Sequence, residues 1–399
     1  MILTQCAACA RPISPTAPRC ARCHTRYCGP TCQKEHWEGG GHSVLCKKIK
    51  RRGGAEQYHA DKKCEEAIAV AAEACAEDTA GQTCYICTQA VHWKTKEGLV
   101  RMCACRGTAG FAHVSCLAEQ AKIFVAEAEE NNLDWKVLDA RFHRWDTCGL
   151  CEQSYHGVVR GALGWACWKT YLGRPETDWA HRTAMSMLGN GLEQADLPAD
   201  ALLVLQSLLT SMKRFGDPGH TMLTVENAIA GCLCRLKRND EALVMRRELY
   251  TKTINLLGTE HRETIVAANN LAQSLMLKAV PGPNILWTRD NLGALSVACV
   301  NEARALLSKT VPASVGTFGP DHEFTIGILG AYASTFAIFH DGESQDELAK
   351  ALAMTEDVCR RTRQILGVAH PMTKRVDSLL MILREKQDGG KYSPSSKAF

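Results

Sequence analysis

The stretch that decides the fold runs from Cys84 to Cys151 and holds its thiol and imidazole side chains in four close pairs. The pairs are Cys84-x-x-Cys87, Cys103-x-Cys105, His113-x-x-Cys116 and Cys148-x-x-Cys151. Seven thiols and one imidazole match the ligands of two tetrahedral zinc ions. The spacing favours an interleaved arrangement, in which the first and third pairs hold one ion and the second and fourth pairs hold the other.

Two other interpretations of this stretch need to be weighed. A disulfide framework is typical of secreted chains, but residues Met1 to Pro15 lack the pattern of a signal peptide, and oxidised pairs would leave His113 without a role. A PHD-type finger has the same ligand order. However, that family has a longer second pair and a shorter gap before its His than the one and seven residues found here.

These counts, with the run from Arg106 to Leu117 and the closing Cys148-Gly-Leu-Cys151 before Tyr155, closely resemble the RING-CH (RING-variant) family. The resemblance covers roughly residues 81–157. It implies a zinc domain that docks a ubiquitin-conjugating enzyme on an apolar shelf and performs no covalent chemistry. A ubiquitin ligase with no catalytic residue of its own is therefore expected.

A few neighbouring residues bear on that activity. Ile86 matches the position at which RING-type domains offer an apolar contact to the conjugating enzyme. Many relatives have a Trp about four residues beyond Cys116, whereas this chain reads Glu119-Gln120-Ala121. Glu152 follows the last ligand, where many RING domains place a cation, and a carboxylate cannot donate the same hydrogen bonds. We expect Trp145 to replace part of the missing apolar shelf.

A second cysteine-rich module occupies the N-terminus. Its pairs are Cys6-x-x-Cys9, Cys20-x-x-Cys23, Cys28-x3-Cys32 and His42-x3-Cys46, which match the MYND finger. The resemblance implies that one zinc ion is held by Cys6, Cys9, Cys28 and Cys32, and another by Cys20, Cys23, His42 and Cys46. Four zinc ions, two per finger, are thus expected in the chain. MYND fingers bind other proteins, commonly through short proline-containing peptides.

The remaining residues near the N-terminal finger have simpler interpretations. His24 and His36 fit the ligand spacing worse, and we interpret them as surface groups or as groups behind the ligands. The basic run Lys47 to Arg52 has the composition of a nuclear address or a phosphate-binding patch, and also of a solvated helix end. From Glu56 to Asp78 the pattern predicts a helix that separates the fingers, with Cys64 and Cys75 as ordinary buried residues.

Composition limits the classes of function. The chain has 399 residues, of which 46% are apolar, enough for about two or three domains. A net charge of +4 demands neither nucleic acid nor an anionic membrane as a partner. The 21 cysteines cluster near the N-terminus in pairs mixed with His, which indicates metal in a reducing, cytoplasmic or nuclear compartment. The longest uncharged run, Phe324 to Phe339, is too short to span a bilayer.

From Thr177 onward a helical pattern repeats at about 41 residues. The recurring signal is Gly-x-x-His-x-x-Thr, which starts at Gly258, Gly319 and Gly367. Each copy opens one helix of a pair, as in a solenoid. The segment resembles the tetratricopeptide (TPR) repeats of kinesin light chains. Its histidines, His220, His261, His322 and His370, lie too far apart to share an ion, and we expect them to cap or pack helix starts. Cys232 and Cys234, two apart on a helix, are not expected to ligate together.

The predicted architecture is mostly α, with two small cross-braced zinc fingers followed by an α-solenoid of TPR-like helix pairs. The predicted segments are a MYND-type finger at 1–50, a helical linker at 51–80, a RING-CH-type finger at 81–175, a solenoid at 176–386 and a disordered tail at 387–399. Irregular inserts are expected at Lys278 to Asn291 and at His340 to Gln345.

The function predicted from these modules is that of a soluble RING-CH-type ubiquitin ligase that selects protein targets with its MYND finger and repeats. A non-catalytic scaffold built from the same modules is the alternative. The predicted partners are a ubiquitin-conjugating enzyme, protein targets, and short peptides on the MYND finger and in the solenoid groove, with no membrane partner. A nucleic-acid-associated regulator that acts through the basic run at 47–52 is a third, less favoured hypothesis. The groove residues predicted from helix position are Asn227, Arg235, Arg246, Lys252, Asn269 and Asn270.

Overall fold

The computed structural model describes residues 5–14, 16–279, 294–337 and 345–387. The predicted insert at Lys278 to Asn291 lies mainly outside this part of the chain, as does the one at His340 to Gln345. The predicted tail also lies outside it, apart from Gln387, which ends the last helix. Within the described residues no helix is long and apolar enough to cross a bilayer.

The chain forms two compact units, Met1–Asp217 and Pro218–Phe399. The helices of the first unit are α1 (Pro30–Glu38), α2 (His42–Arg51), α3 (Ala55–Ala74), α4 (Val114–Glu130), α5 (Trp135–Phe142), α6 (Gly157–Tyr171), α7 (Trp179–Gln194) and α8 (Pro198–Phe215). Those of the second are α9 (Gly219–Arg235), α10 (Asn239–Leu257), α11 (Arg262–Ala279), α12 (Ala294–Phe318), α13 (Glu323–Ala337), α14 (Gln345–Ile365) and α15 (Pro371–Gln387). Outside the helices, the described residues pair only through isolated β-bridges. The predicted mostly α architecture is confirmed.

Helix α3 joins the two fingers and contributes to the core of each. Its first residue, Ala55, belongs to the buried cluster of the N-terminal finger. Ala71, near its end, lies with the adjoining Cys75 in the core of the second finger. Cys64 and Cys75 are both buried, as the sequence predicts. The helix therefore connects the two fingers and also packs against the core of each. Its small residues permit this close packing at both ends.

Helices α6 and α7 pack backbone to backbone through glycines. A Cβ atom added at Gly191 of α7 would lie 2.8 Å from the carbonyl oxygen of Arg160, and one added at Gly161 of α6 would lie 2.8 Å from the Cβ of Ala195. The predicted boundary between residues 175 and 176 separates these two helices. The structure instead places α7 and α8 in the same compact unit as the fingers.

The second unit is a stack of antiparallel helix pairs. Each helix from α9 to α15 packs on the next one, and α9, α11, α13 and α15 also contact one another in order. Contact between the first helices of successive pairs is the arrangement of a solenoid, in which each repeat buries its apolar face against its neighbours. The buried clusters follow this order, with one around α11 and α12 and another around α13 to α15.

The repeated Gly-x-x-His-x-x-Thr signal builds the start of a helix. Gly258, Gly319 and Gly367 have φ of 84, 92 and 89°, a region that glycine enters without a steric penalty. Three residues on, Nδ1 of His261, His322 and His370 accepts the backbone N–H two positions ahead over 3.2, 3.2 and 3.3 Å. The hydroxyls of Thr264 and Thr325 return to the glycine carbonyl over 2.7 and 2.8 Å. The capping role predicted for these three histidines is confirmed.

Candidate metal centres

Four clusters of Cys and His side chains hold their ligand atoms within 4.8 Å of one another. The structure thus brings together the same four groups that spacing and family resemblance predict. The N-terminal finger holds Cys6, Cys9, Cys28, Cys32 in one cluster and Cys20, Cys23, His42, Cys46 in the other. The second finger holds Cys84, Cys87, His113, Cys116 and, separately, Cys103, Cys105, Cys148, Cys151.

The four Cys-x-x-Cys turns share one backbone geometry. The residue after the second cysteine has a left-handed φ of 56 to 63°. Its N–H donates to the carbonyl of the first cysteine over 2.8 to 3.0 Å, and the N–H of that first cysteine donates to a carbonyl five residues ahead. The left-handed residues are Ala10, His24, Thr88 and Glu152. This turn aims both thiols of a pair at one point.

Isolated β-bridges close the loops that carry the ligands. Gln5 pairs with Pro12 around the first turn, Arg19 pairs with Arg26 around the second, and Thr147 pairs with Ser154 around the last. A fourth bridge, Val100 with Ala112, encloses Cys103 and Cys105. Short bridges of this kind are enough to hold a loop whose remaining stability comes from metal–ligand bonds.

The spacing of the ligand atoms fits tetrahedral zinc. Zn–S and Zn–N bonds of about 2.3 and 2.05 Å place two sulfurs about 3.8 Å apart and a sulfur and a nitrogen about 3.5 Å apart. The sulfur pairs Cys9–Cys28, Cys20–Cys46 and Cys105–Cys148 are 3.7, 3.9 and 3.7 Å apart, and the Cys28–Cys32 pair is shorter, at 3.3 Å. The thiols of Cys23, Cys87 and Cys116 lie 3.5, 3.3 and 3.6 Å from their imidazole nitrogens. A disulfide requires about 2.05 Å, and the cysteines are free thiols.

The two histidine ligands present different nitrogens. His42 directs Nε2 at its centre. His113 directs Nδ1, while its Nε2 lies 3.4 Å from the carbonyl oxygen of Ala90. A carbonyl can only accept, so it holds the proton on Nε2 and leaves the Nδ1 lone pair for a metal. Burial lowers the pKa of both imidazoles, which favours the neutral form that binds metal.

The thiols within a cluster have opposed pKa shifts. A hydrogen bond from Arg11 lowers the pKa of Cys9 to about 6, whereas hydrogen bonding to Cys28 raises the pKa of Cys32 to about 12. In the second finger, the hydrogen bond between Cys103 and Cys148 lowers the pKa of Cys148 and raises that of Cys103. Four thiolates cannot coexist at this distance without a cation, and a divalent metal supplies that charge.

The other histidines of the N-terminal finger do not join a ligand cluster. His24 is exposed and occupies a left-handed turn position. His36 is half-buried, with Nδ1 3.1 Å from the Tyr27 hydroxyl and its ring centroid 5.1 Å from that of His42. The sequence interpretation of these two residues, as a surface group and a group behind a ligand, agrees with their positions.

The predicted partner-binding residues of the second finger have different environments. Ile86 is 36% exposed at the tip of its Cys-x-x-Cys turn. Trp145 is only 1% exposed, and its ring lies 5.9 Å from that of Tyr171. The prediction for Trp145 is therefore wrong, because a buried indole offers no shelf to a partner.

Several predicted groove residues of the solenoid bond to the repeats themselves. Arg246 is 7% exposed and donates to the Ser274 hydroxyl over 2.8 Å, so the prediction that it contacts a peptide is wrong. Asn270 donates to Asn227 over 2.9 Å, and Lys252 pairs with Glu226. Arg235, which is exposed, and Asn269, which is half-buried, remain predictions. Helix position alone cannot distinguish a groove residue from one that joins two helices.

Sequence reasoning missed three exposed apolar side chains beside the metal centres. Leu150, 51% exposed, lies at the tip of the last Cys-x-x-Cys turn, and Val91 and Trp93, 54% and 68% exposed, lie in the loop after Cys87. The sequence could have indicated these residues, because each is a bulky apolar residue in a short loop at or between the ligand pairs. Neither helix nor strand periodicity requires an apolar residue at these positions.

Family models agree with both fingers. A model described as the MYND finger matches residues 6–46, and one described as the RING-variant domain matches residues 84–132. The second match ends before Cys148 and Cys151, which the structure adds to the ligand set beyond the insert formed by α4 and α5. No curated protein matches the chain significantly.

Among solved structures, matches include a putative kinesin light chain from Podosopora anserina with nearly identical TPR-like repeats, at 13% identity, 63% of this chain, 97% of that chain and a TM-score of 0.34. A substituted form of the same protein gives the same identity and coverage with a TM-score of 0.35. BtubC from P. vanneervenii matches at 10% identity, 72% of this chain, 95% of that chain and a TM-score of 0.31. The chain therefore carries segments that match a MYND finger and a RING-variant domain, each with two Cys/His clusters of zinc-binding geometry, ahead of a stack of helix pairs.

Proposed function

We propose that the protein is a ubiquitin ligase of the RING type, with four structural zinc ions, whose RING-variant domain docks a ubiquitin-conjugating enzyme. The observation that carries the proposal is that both metal centres of this domain have an exposed apolar tip. Ile86 lies between the ligands Cys84 and Cys87, and Leu150 lies between Cys148 and Cys151. Apolar side chains held at the ends of rigid turns form a docking surface with little ordering cost.

The mechanism follows from the closed metal centres. Each cluster offers four protein ligands, which would fill the coordination of a tetrahedral zinc ion and leave no position for water or substrate, as in structural zinc sites. The domain would act by holding a conjugating enzyme close to a target, so that its contribution is proximity and orientation. The MYND finger and the solenoid would select the target.

The test is autoubiquitination by the zinc-loaded full chain with a panel of conjugating enzymes. We expect Ile86→Ala and Leu150→Ala each to slow product formation about 10-fold or more, since truncating a central interface residue has costs of that size. Leu256→Ala in α10 removes a similarly exposed side chain, 58% exposed, and serves as the control with unchanged activity. A zinc-replete wild type that forms no product with any enzyme would refute the proposal.

A non-catalytic scaffold is the second candidate, and two observations favour it. Glu152 is exposed directly after the last ligand, where a ligase of this type benefits from a cation. Glu119-Gln120-Ala121 stands about where many related domains place a Trp. A scaffold would bind its partners in a zinc-dependent manner and transfer no ubiquitin in the same assay.

For target selection by the MYND finger, we propose the surface formed by Trp37, Val44 and Leu45, which are 42%, 81% and 40% exposed. Trp37 lies on α1 with its ring 5.7 Å from that of His42, so the metal centre holds the start of α2 beside it. Trp37→Ala should weaken binding to a panel of proline-containing peptides without changing zinc content. Unaltered peptide affinity would exclude this surface.

A further inference from the structure

We propose that Trp93, on the loop formed by residues 90–97, supplies the aromatic contact of the RING-variant domain to its conjugating enzyme. It would replace the Trp that many related domains place about four residues beyond their sixth ligand, where this chain has Glu119-Gln120-Ala121. The inference rests on the proposed ligase function. Trp93 would make the contact of this chain with the conjugating enzyme different from that of related domains.

The loop is held against the first metal centre of this domain. Its residue Ala90 places its carbonyl oxygen 3.4 Å from Nε2 of the ligand His113. Two residues further on, the buried ring of His92 packs edge-on against the same ligand, with ring centroids 5.2 Å apart. Both contacts fix the loop to a side chain that a zinc ion would itself fix.

The rest of the loop is closed by its own hydrogen bonds. Nδ1 of His92 accepts the backbone N–H of Thr95 over 3.1 Å and lies 2.7 Å from the Thr95 hydroxyl. The backbone N–H of His92 donates to the carbonyl of Glu97, and that of Lys96 donates to the carbonyl of His92, each over 3.0 Å. A loop with this bonding holds its side chains in place without a partner.

The far end of the loop is tied to helix α4. The buried carboxylate of Glu97 accepts both the backbone N–H of Ser115, over 2.7 Å, and its hydroxyl, over 2.9 Å. An acid at the first turn of a helix satisfies an otherwise unpaired N–H and complements the helix dipole. The loop is thus anchored at the metal centre and at the helix that follows His113.

Trp93 is presented outward from this rigid base. Its ring lies 6.1 Å from that of His92 and is 68% exposed, and the neighbouring Val91 is 54% exposed. The anchors of the loop come from residues 90, 92, 95 and 97, so the indole of Trp93 is not needed to hold the loop in place. A preorganised, exposed Trp is the side chain most enriched at interface centres.

The surroundings of the loop indicate that the partner at Trp93 is the conjugating enzyme. Ile86, the apolar tip proposed to contact the conjugating enzyme, is carried by the same metal centre, because it lies between the ligands Cys84 and Cys87. Lys94 and Lys96 flank Trp93, are exposed, and have no ion-pair partner among the residues the structure describes. The matching surface on the enzyme is an apolar patch rimmed by acidic groups.

The test measures the affinity of each conjugating enzyme in a panel for the zinc-loaded full chain by biolayer interferometry, with autoubiquitination rates alongside. We expect Trp93→Ala to weaken binding about 10-fold or more and Trp93→Phe to weaken it less, because the ring remains. Trp135→Ala is the matched control, since Trp135 is an exposed Trp, 53%, on α5 of the same domain. The affinity of the Trp135→Ala variant for each conjugating enzyme should stay within about 2-fold of wild type.

The outcomes separate this inference from the function on which it rests. If Ile86→Ala weakens binding and Trp93→Ala does not, the Trp93 contact is refuted and the ligase proposal stands. If no enzyme binds the wild-type chain or supports transfer, both are refuted. If Trp93→Ala and Trp135→Ala weaken binding equally, the effect is a general loss of domain stability, and the specific contact is again refuted.

Discussion

At the scale of single residues, Glu152 shows that the metal-binding turns fix the backbone conformation but not the identity of the side chain. Its φ of 57° and its N–H bond to the Cys148 carbonyl belong to the turn geometry that Ala10, His24 and Thr88 share. Ala, His, Thr and Glu all occupy this position, so the turn places no demand on the side chain. The Glu152 carboxylate is exposed, and a substitution there reports on partner binding with little effect on folding.

Replacing this carboxylate with a cation should therefore increase ligase activity. We expect Glu152→Arg to raise the autoubiquitination rate about 10-fold, because a guanidinium can donate hydrogen bonds to conjugating enzyme and ubiquitin where a carboxylate cannot. Glu152→Gln removes the charge without adding a cation and should give a smaller gain. Rates for the three proteins at equal zinc content provide the measurement. Equal rates for Arg and Glu would show that this position takes no part in transfer.

The residue scale also shows what the sequence can predict about the site. The ligands were predictable because a shared metal requires fixed spacings that remain visible in the chain, as in Cys84-x-x-Cys87. Trp145 was not, because whether an indole in a short turn faces inward depends on Tyr171, which lies on a later helix. Arg246 failed for the same reason, since its partner Ser274 lies on the next helix.

At the scale of helices, the close contact of α6 with α7 joins the second finger to two helices that the sequence pattern assigns to the solenoid. Sequence periodicity predicted α6 and α7 but not that they lie in the same compact unit, because glycines such as Gly161 and Gly191 add nothing to a hydrophobic pattern. These glycines matter because they allow the backbones of the two helices to approach each other. The repeat signal of the second unit was easier to predict, because its Gly, His and Thr each bond within their own helix start.

A methyl group at this contact should destabilise the first unit. In Gly191→Ala the new Cβ would lie 2.8 Å from the Arg160 carbonyl oxygen, a backbone atom that cannot rotate away. We expect a loss of about 1–3 kcal/mol in the free energy of unfolding, as for other overpacked contacts. Gly173→Ala, where no atom lies within 4 Å of the new Cβ, is the control and should change stability by less than about 0.5 kcal/mol.

Calorimetry of the full chain can measure this effect, with the transition of the first unit assigned from its response to a chelator. Equal transition temperatures for Gly191→Ala and the wild type would mean that α6 and α7 separate easily. The sequence-based boundary between residues 175 and 176 would then be the better description of the domains.

At the scale of the whole molecule, the candidate metal centres found among the described residues fall in one of the two compact units. All four ligand clusters lie in Met1–Asp217, where the ligands form part of the buried cores of both fingers. In the described part of Pro218–Phe399, no group of His, Cys, Asp or Glu has metal-binding geometry. The solenoid instead draws its stability from apolar contacts between helices, such as those around Leu271, Leu275 and Leu307.

Removing zinc should therefore unfold the fingers and leave the solenoid helical. A structural zinc contributes about 10–16 kcal/mol in finger peptides, which exceeds what these small cores can supply alone. After chelation we expect hydrogen exchange to become fast from residue 5 to about residue 155 and to stay slow across α9 to α15. Limited proteolysis should then leave a stable fragment that begins near residue 218. Loss of protection throughout α9 to α15 would show that the solenoid requires the fingers to fold, while a protected MYND finger without zinc would contradict the metal's structural role.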